Sequence, residues 1–342
     1  MLVILADDVT GTLDAAAPFA GRGLSTRVVM RIDAVADALR NHDVDVLSVN
    51  LNCREVSANE ARGVMARAVS LLPPGATVFK KVDSRLKGNI AAELDAIDFP
   101  KALVAPAIPA FGRFVENGHL RGFGVDQPIS VLAALGGAGD RCLVPDMQTD
   151  QDMREALARA QAEGVDLFIG ARGLAEALAA SMTGKAEARP VDIPSGTALF
   201  VIGSRDPITL AQVAALRHGL CVDYVEASNG IIEAPSRSER TIVVVQALSG
   251  ASRASPEQVS TNLAAGVVPE MTRAARTWLL SGGATADAVL LRAGISELAL
   301  LGECLPGLGV AEAHGHCIIA KSGGFGAPDT LARVAAKIMG AE

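Results

Sequence analysis

Apolar residues fall in short runs separated by longer amphipathic stretches, and the alternation continues from one end of the chain to the other. Leu2–Leu5, Thr26–Met30, Val44–Val49, Thr77–Val82 and Ala102–Ala105 are compact runs rich in Val, Leu and Ile, a pattern that predicts buried strands. Between them Thr12–Arg22, Ala34–Arg40, Ala58–Leu72 and Asn89–Ile97 place apolar residues at helical spacing. The rhythm weakens at Met182–Gly196, a polar stretch carrying Pro and Gly that reads as a linker. It then resumes, with strands expected at Ala198–Ile202, Cys221–Val225, Thr241–Val245 and Cys317–Ala320. Helices are expected there at Ile208–Arg217, Gln258–Trp278, Ala286–Ala293 and Thr330–Met339. The pattern predicts two α/β domains, residues 1-185 and 196-342, each a mostly parallel sheet flanked by helices. In such sheets ligands bind beyond the carboxyl ends of the strands, so the residues after each strand carry the functional reading.

Composition narrows the classes. The chain has 342 residues, of which 50% are hydrophobic and 20% charged, with a net charge of −7. That length suits two domains, and the balance excludes a disordered chain. An acidic surface with 9 Phe, one Trp and one Tyr argues against nucleic-acid binding, which needs a basic face and stacking platforms. It leaves room for a local basic pocket around a small anion. The longest stretch without Asp, Glu, Lys or Arg is Gln127–Gly139, too short to span a bilayer. Acids arrive early in the N-terminal MLVILADD, before a signal-peptide core could finish. The five cysteines form no CxxC pair, so a reduced, cytoplasmic protein without a zinc site or disulfide framework is expected.

Three strand ends in the first half carry chemistry. After the first strand comes Asp7-Asp8-Val9-Thr10-Gly11, adjacent acids at the mouth of a helix. They suit hydrogen bonding to substrate hydroxyls or general-base work; the alternative is that one of them caps the helix and the other is solvated. After the fourth comes Lys80-Lys81-Val82-Asp83-Ser84-Arg85-Leu86-Lys87-Gly88-Asn89. Strand alternation puts Lys81 and Asp83 on one face, with Arg85 and Lys87 approaching from the loop. Cations mixed with Asp83, Ser84 and Asn89 suit a hydroxylated small acid, against the alternative of a solvated basic turn. After the fifth comes the stiff segment Ala105–Arg113, followed by Asn117-Gly118-His119, where His119 is a candidate substrate donor. Arg54, beyond the third strand, is a further candidate anion contact, with an exposed arginine as its alternative.

The second half offers three glycine turns, each after an apparent strand: Gly203-Ser204-Arg205-Asp206-Pro207, Gly282-Gly283-Ala284-Thr285, and Ser322-Gly323-Gly324. Glycine allows close backbone approach to a ligand, and a helix start directs N–H groups at phosphate oxygens. Neither the Walker-type loop nor the dinucleotide fingerprint is present.

Taken together, IxADDxTGxxDxAxxF, KKxDSxxxGN and APAxPxxGRxxxNGHL resemble the four-carbon acid sugar kinase family. The GS…P, SGGxTA and KSGGFG elements resemble its nucleotide-binding half in the same order. The resemblance implies a two-domain α/β enzyme with its active site in the cleft between domains. The first domain would hold a tetronate (D-threonate, D-erythronate or a 3-oxo-tetronate), the second ATP, with Mg2+ expected to bridge the phosphates. By resemblance Asp8, Arg54 and Lys81–Arg85 fall on substrate positions, and Ser204, Gly282–Thr285 and Gly323 or Gly324 on ATP positions. Departures are Arg85 where a Thr is usual, Ala284 where an acid is common, and Arg205-Asp206 where Cys-Ser is common. The chain is also shorter than is usual in the family.

The expected reaction is phosphorylation of the terminal hydroxyl, giving the 4-phosphate. Lys81, Arg85 and Arg54 would orient the carboxylate, and Asp8 or Asp83 would accept the proton, with Asp8 favoured. The candidate substrate set is Asp7, Asp8, Arg54, Lys81, Asp83, Ser84, Arg85, Lys87, Asn89, Asn117 and His119. Two other readings remain: a sugar-acid-binding protein that has lost catalysis, and a hydrolase using Asp7 or Asp8 as nucleophile, which lacks a second acid at the usual DxDx[TV] spacing. Oligomeric state is left open, a homodimer included.

Overall fold

Val, Leu and Ile stacked on both faces of a strand leave no side for water, and β1 (Leu2–Ala6) and β3 (Val46–Asn50) are buried along their whole length. Parallel sheets covered by helices on both sides are where such strands occur. The computed structural model describes residues 1–41, 43–233 and 241–340. The chain divides into two units, Met1–Ala188 and Arg189–Glu342.

In the first unit α1 (Val9–Ala20), β2 (Thr26–Val29), α2 (Val35–Asn41) and α3 (Ala58–Ser70) connect the first strands. They continue into β4 (Thr77–Lys81), α4 (Ile90–Leu94) and β5 (Ala102–Ala105). A small antiparallel sheet follows, of β6 (Arg113–Glu116), β7 (His119–Gly122) and β8 (Ile129–Ser130). The chain then runs through α5 (Val131–Leu135), β9 (Cys142–Leu143), α6 (Asp150–Ala162), β10 (Leu167–Gly170) and α7 (Arg172–Thr183). The main sheet is ordered β2-β3-β1-β4-β10-β5-β9, and every pairing is parallel. From β1 the chain first builds toward β2 and β3 and then turns the other way to β4. The strand order therefore reverses between β1 and β4, the place where open α/β sheets hold ligands.

The second unit contains β11 (Ala198–Ile202), α8 (Pro207–Gly219), β12 (Asp223–Ser228) and β13 (Ile242–Leu248). After these come α9 (Pro256–Val267), α10 (Glu270–Ala274), β14 (Thr277–Ser281), α11 (Gly283–Arg292), β15 (Glu297–Leu305), β16 (Leu308–Ala313), β17 (His316–Lys321) and α12 (Thr330–Met339). Its strands run β12-β13-β11-β14-β17-β16-β15. The first five are parallel, while β15–β16 and β16–β17 are antiparallel. Here the order reverses between β11 and β14. Phe200, Ile202, Leu216, Leu279, Ile319 and Val334 form the centre of its core.

The structure corrects several expectations. The helix expected over Gln258–Trp278 ends at Val267; Pro269, without an N–H, precedes a second short helix, and Trp278 lies in β14. There its indole N–H donates to the Thr272 and Ala275 carbonyls. The hairpin β15–β16 was not anticipated, nor was the small β6–β8 sheet. The stretch expected as a linker is tied down at both ends. Arg22 donates to the carbonyls of Lys185 and Ala186, and Val191 N–H donates to Glu303 O. No described helix is long and apolar enough to cross a membrane.

Candidate active site

At the β1/β4 reversal three carboxylates surround one guanidinium. Asp7 follows β1 directly and is 2% exposed; its Oδ2 accepts from Arg54 Nε at 2.9 Å and its Oδ1 from Arg54 Nη2 at 2.7 Å. Asp8 Oδ2 accepts from Arg54 Nη1 at 2.7 Å, and Asp83 Oδ2 lies 3.9 Å from the same nitrogen. Burial would raise the Asp7 carboxyl, but its bonds to Arg54 and the charges of Lys80 and Lys81 hold it below the usual range. The neighbouring carboxylates raise the Arg54 pKa despite its burial. Gly88 completes this packing: any Cβ there would stand 2.9 Å from Asp7 Oδ2, and the backbone is left-handed at φ +95°. A side chain at that position would push the aspartate out of place.

This geometry separates the two adjacent acids. Asp8 is the N-cap of α1, its Oδ1 accepting from Gly11 N–H at 2.7 Å, while Oδ2 also takes the Thr10 hydroxyl at 2.8 Å. With Arg54 added, three donors occupy its two oxygens. Asp8, favoured as base from the sequence, is thus heavily hydrogen-bonded by the protein itself. Asp83 spends Oδ1 on the Arg85 N–H at 2.9 Å and, weakly, on Lys87 N–H at 3.5 Å. Among the described residues its Oδ2 has only the distant Arg54 and is the least engaged carboxylate oxygen of the cluster.

The cations divide as sharply. Arg54, expected as a carboxylate clamp for substrate, gives three of its five N–H groups to Asp7 and Asp8. Lys81 is 4% exposed, and among the described residues its Nζ donates once, to Val82 O at 2.9 Å, leaving two protons uncommitted. It lies over Gly11 beside Asp8: a Cβ on Gly11 would be 2.6 Å from Asp8 Oδ1 and 3.2 Å from Lys81 Nζ. Arg85 and Lys87 are exposed at the loop. Ser84 accepts from Arg113 Nη1 at 2.6 Å, and Arg113, held by the Phe123 carbonyl, is pushed down by burial and by the Arg85 charge. Sequence reading missed Arg113 as a site residue because only the β6–β7 hairpin brings it to Ser84.

Three expected substrate residues have other employment. Asn89 donates to the carbonyls of Cys53, Arg54 and Val56, fixing the loop that carries Arg54. Asn117 and Gly118, both at positive φ, form the two-residue turn between β6 and β7. His119 Nδ1 bonds back to Asn117 O at 2.8 Å. Since Arg113 pairs with Gly122 and Glu116 with His119, this turn is at the far end of the hairpin from Arg113, about 10 Å away at strand rise.

Beneath the acids lies a buried triad that the sequence did not single out. Lys80 Nζ is 3.1 Å from Glu93 Oε2, both side chains fully buried, and the Cys53 thiol donates to Glu93 Oε1 at 2.9 Å. Burial and then Glu93 push the Cys53 thiol up, so it stays protonated.

In the second unit the glycine turns meet at the β11/β14 reversal. The N–H groups of Gly203 and Ser204 donate to Ser281 O, and Gly282 N–H to Lys321 O. A Cβ on Gly203 would collide with Thr285 Oγ1, and one on Gly323 with Ser204 Oγ. Asp206 caps α8 through Ile208 N–H, with Pro207 at its first position. Gly203, Arg205, Gly282–Thr285 and the start of α9 line a cavity of about 290 Å³. The expected nucleotide residues thus gather in one place, Gly323 and Gly324 beside Ser204 and Asp206. Among the described residues no group of three His, Cys, Asp or Glu side chains is arranged to hold a metal ion. Two of the site's carboxylates, Asp7 and Asp8, are hydrogen-bonded to Arg54.

Similarity decides the family. Residues 2–130 match a sugar-binding N-terminal domain and residues 199–331 a nucleotide-binding C-terminal domain. A D-threonate kinase of Cupriavidus necator is 27% identical, over 96% of this chain and 96% of that one. A D-threonate kinase of Bordetella bronchiseptica is 28% identical over 98% and 96%. The chain belongs to the four-carbon acid sugar kinase family. Membership makes it a sugar-acid kinase, as its motifs led us to expect. A 3-oxo-tetronate kinase of Haemophilus influenzae is 35% identical, though over only 35% of this chain and 31% of that one. The fold agrees with a solved Haemophilus influenzae protein, 22% identical with a TM-score of 0.72 over 98% of this chain and 100% of that one.

The Arg54 cluster makes a testable prediction for this kinase. Because the folded Asp7 pKa is depressed, its contribution to stability is present above the unfolded value, 3.8, and is lost as pH falls through the folded value. Arg54→Met should therefore cost about 3–5 kcal/mol at neutral pH, the effect of leaving a buried charge unpaired. Unfolding midpoints in urea should show the gap to wild type narrowing below about pH 4. A gap of constant size down to acid pH would remove Asp7 as its source.

Proposed function

We propose that the protein transfers the γ-phosphoryl group of ATP to the terminal hydroxyl of a four-carbon sugar acid. In this reading residues 1-185 hold the acid and residues 196-342 the nucleotide. The observation that carries it is the ammonium of Lys81, with one of its three protons committed among the described residues, buried beside a carboxylate cluster at the strand-order reversal of the first unit. Such an ammonium suits a carboxylate or phosphoryl oxygen. Ser84, Arg85 and Arg113 supply the hydroxyl and guanidinium groups for the remaining oxygens of a hydroxy acid. Arg54 acts on the substrate indirectly, by fixing Asp7 and Asp8.

The proton balance assigns Asp83. Its Oδ2 accepts the proton of the terminal hydroxyl as that oxygen forms its bond to Pγ, and the bond from Pγ to the bridging oxygen breaks to release ADP. Phosphoryl transfer needs mainly positioning and charge stabilisation, which the fixed cations provide. Mg2+ enters with ATP, since it is usually held by substrate phosphates and one or two carboxylates rather than by an all-protein cage. When bound it neutralises phosphate charge.

The test is an ADP-coupled assay with D- and L-threonate, D- and L-erythronate and 3-oxo-tetronates, with the product's phosphate located by NMR. ADP release with at least one of them and a 4-phosphate product is expected. A tetronate that binds without ADP release would favour a binding protein. Release of phosphate from sugar phosphates without ATP would favour a hydrolase.

A further inference from the structure

Lys321, at the end of β17, is fully buried in the nucleotide unit and faces no carboxylate within ion-pair distance among the described residues. Its ammonium spends its protons on Thr209 Oγ1 at 3.0 Å, Ser322 O at 3.0 Å and Gly323 O at 3.4 Å. Thr209 in turn donates to Gly323 O at 2.8 Å. A buried cation without a counter-charge is costly, and three neutral acceptors offset only part of that cost.

The consequence lies in the peptide planes. In a trans peptide the C=O and the following N–H point in opposite directions. Drawing the Ser322 and Gly323 carbonyls inward to one ammonium turns the N–H groups of Gly323 and Gly324 away from it. Neither N–H has an acceptor among the described residues. Two successive free N–H groups form the kind of concavity that takes an anion. The turn packs on Ser204 and Asp206, so this concavity belongs to the same group of glycine turns.

We propose that Lys321 is a positioning residue for the nucleotide's phosphates, turning the Gly323 and Gly324 N–H groups toward them and being neutralised by their charge. The proposal rests on the nucleotide assignment above and adds a residue to it. Burial pushes Lys321 down to about 8, against the opposing effect of Asp206. Around it, β14 carries no titratable side chain. Glu312 on β16, Arg217 and His218 on α8, and His316 and Cys317 on β17 stand at the far ends of those elements. Arg205 and Asp206 are the charged neighbours in the adjoining turn.

An arriving phosphate should therefore recharge a partly neutral Lys321, and binding should take up protons. Calorimetric titration of the full chain with ADP and Mg2+, in buffers of different ionisation enthalpy, reads this directly. Near pH 8.5 we expect uptake of about half a proton or more, fading near pH 7. Lys321→Met should abolish the uptake and weaken ADP binding at least about tenfold at pH 7. Lys321→Arg, permanently charged, should also abolish uptake but retain more affinity than the Met variant. Should these variants not fold, wild type alone still decides: its ADP affinity must fall as pH rises from about 7 to 9. ADP binding without proton uptake, or uptake unchanged in Lys321→Met, overturns the proposal while leaving the nucleotide assignment intact. Failure of wild type to bind ADP overturns both.

Discussion

Lys80→Met is expected to destabilise the first unit by about 3–5 kcal/mol, as large an effect as that expected for Arg54→Met. Lys80 and Glu93 are each fully buried and lie 3.1 Å apart. Burial alone would push the ammonium down, but Glu93 and then Asp7 more than offset it, so it stays charged. Removing it leaves Glu93 with only the Cys53 thiol and forces a carboxylate to remain charged in the core or to take up a proton. For a unit of this size the melting temperature should fall by roughly 6–20 °C. The double variant Lys80→Met with Glu93→Leu separates lost charge from lost packing, because two apolar groups need no partners. It should recover most of the deficit. If it melts no higher than the single variant, the ion pair is not the source. The folded double variant then serves a second use: any remaining loss of turnover measures what the Lys80 charge does for Asp7 and Arg54.

Why Lys80 escaped the sequence reading is instructive. Alternation along β4 says that Lys80 and Lys81 face opposite ways, but not which face is covered by a helix. Both faces are covered here, and Lys80 survives burial only because Glu93 arrives on α4, one connection later. The acids and Lys81 were legible because a strand end before a helix is recognisable locally, and the three glycine turns were legible for the same reason. Arg113 was not, since its approach to Ser84 depends on how a hairpin folds back. Asn89 and Asn117 show the limit of reading a motif locally. A polar side chain in a motif looks the same whether it holds a ligand or, as with Asn89, three backbone carbonyls. The β15–β16 hairpin was missed although Glu297–Leu305 alternates in burial, because its exposed positions include the apolar Leu301 and the strand carries Gly302.

The kinase reaction offers the sharper discrimination among the carboxylates. Asp83→Asn should lower kcat by about 10²–10⁴-fold, the range for loss of a general base, with KM for the sugar acid changing far less. The amide keeps the shape of Asp83, and its oxygen can still accept the Arg85 N–H, so the loop should hold. It cannot take the hydroxyl proton. Asp8→Asn is the matched control: asparagine is as good an N-cap as aspartate, so α1 keeps its start while Arg54 loses one carboxylate. Turnover of that variant should stay within about tenfold of wild type, through slight displacement of Arg54 rather than loss of a proton acceptor. The reverse result, with Asp8→Asn losing a hundredfold or more and Asp83→Asn nearly unaffected, would return the proton to Asp8. Its three hydrogen-bond donors would then have to rearrange when substrate binds.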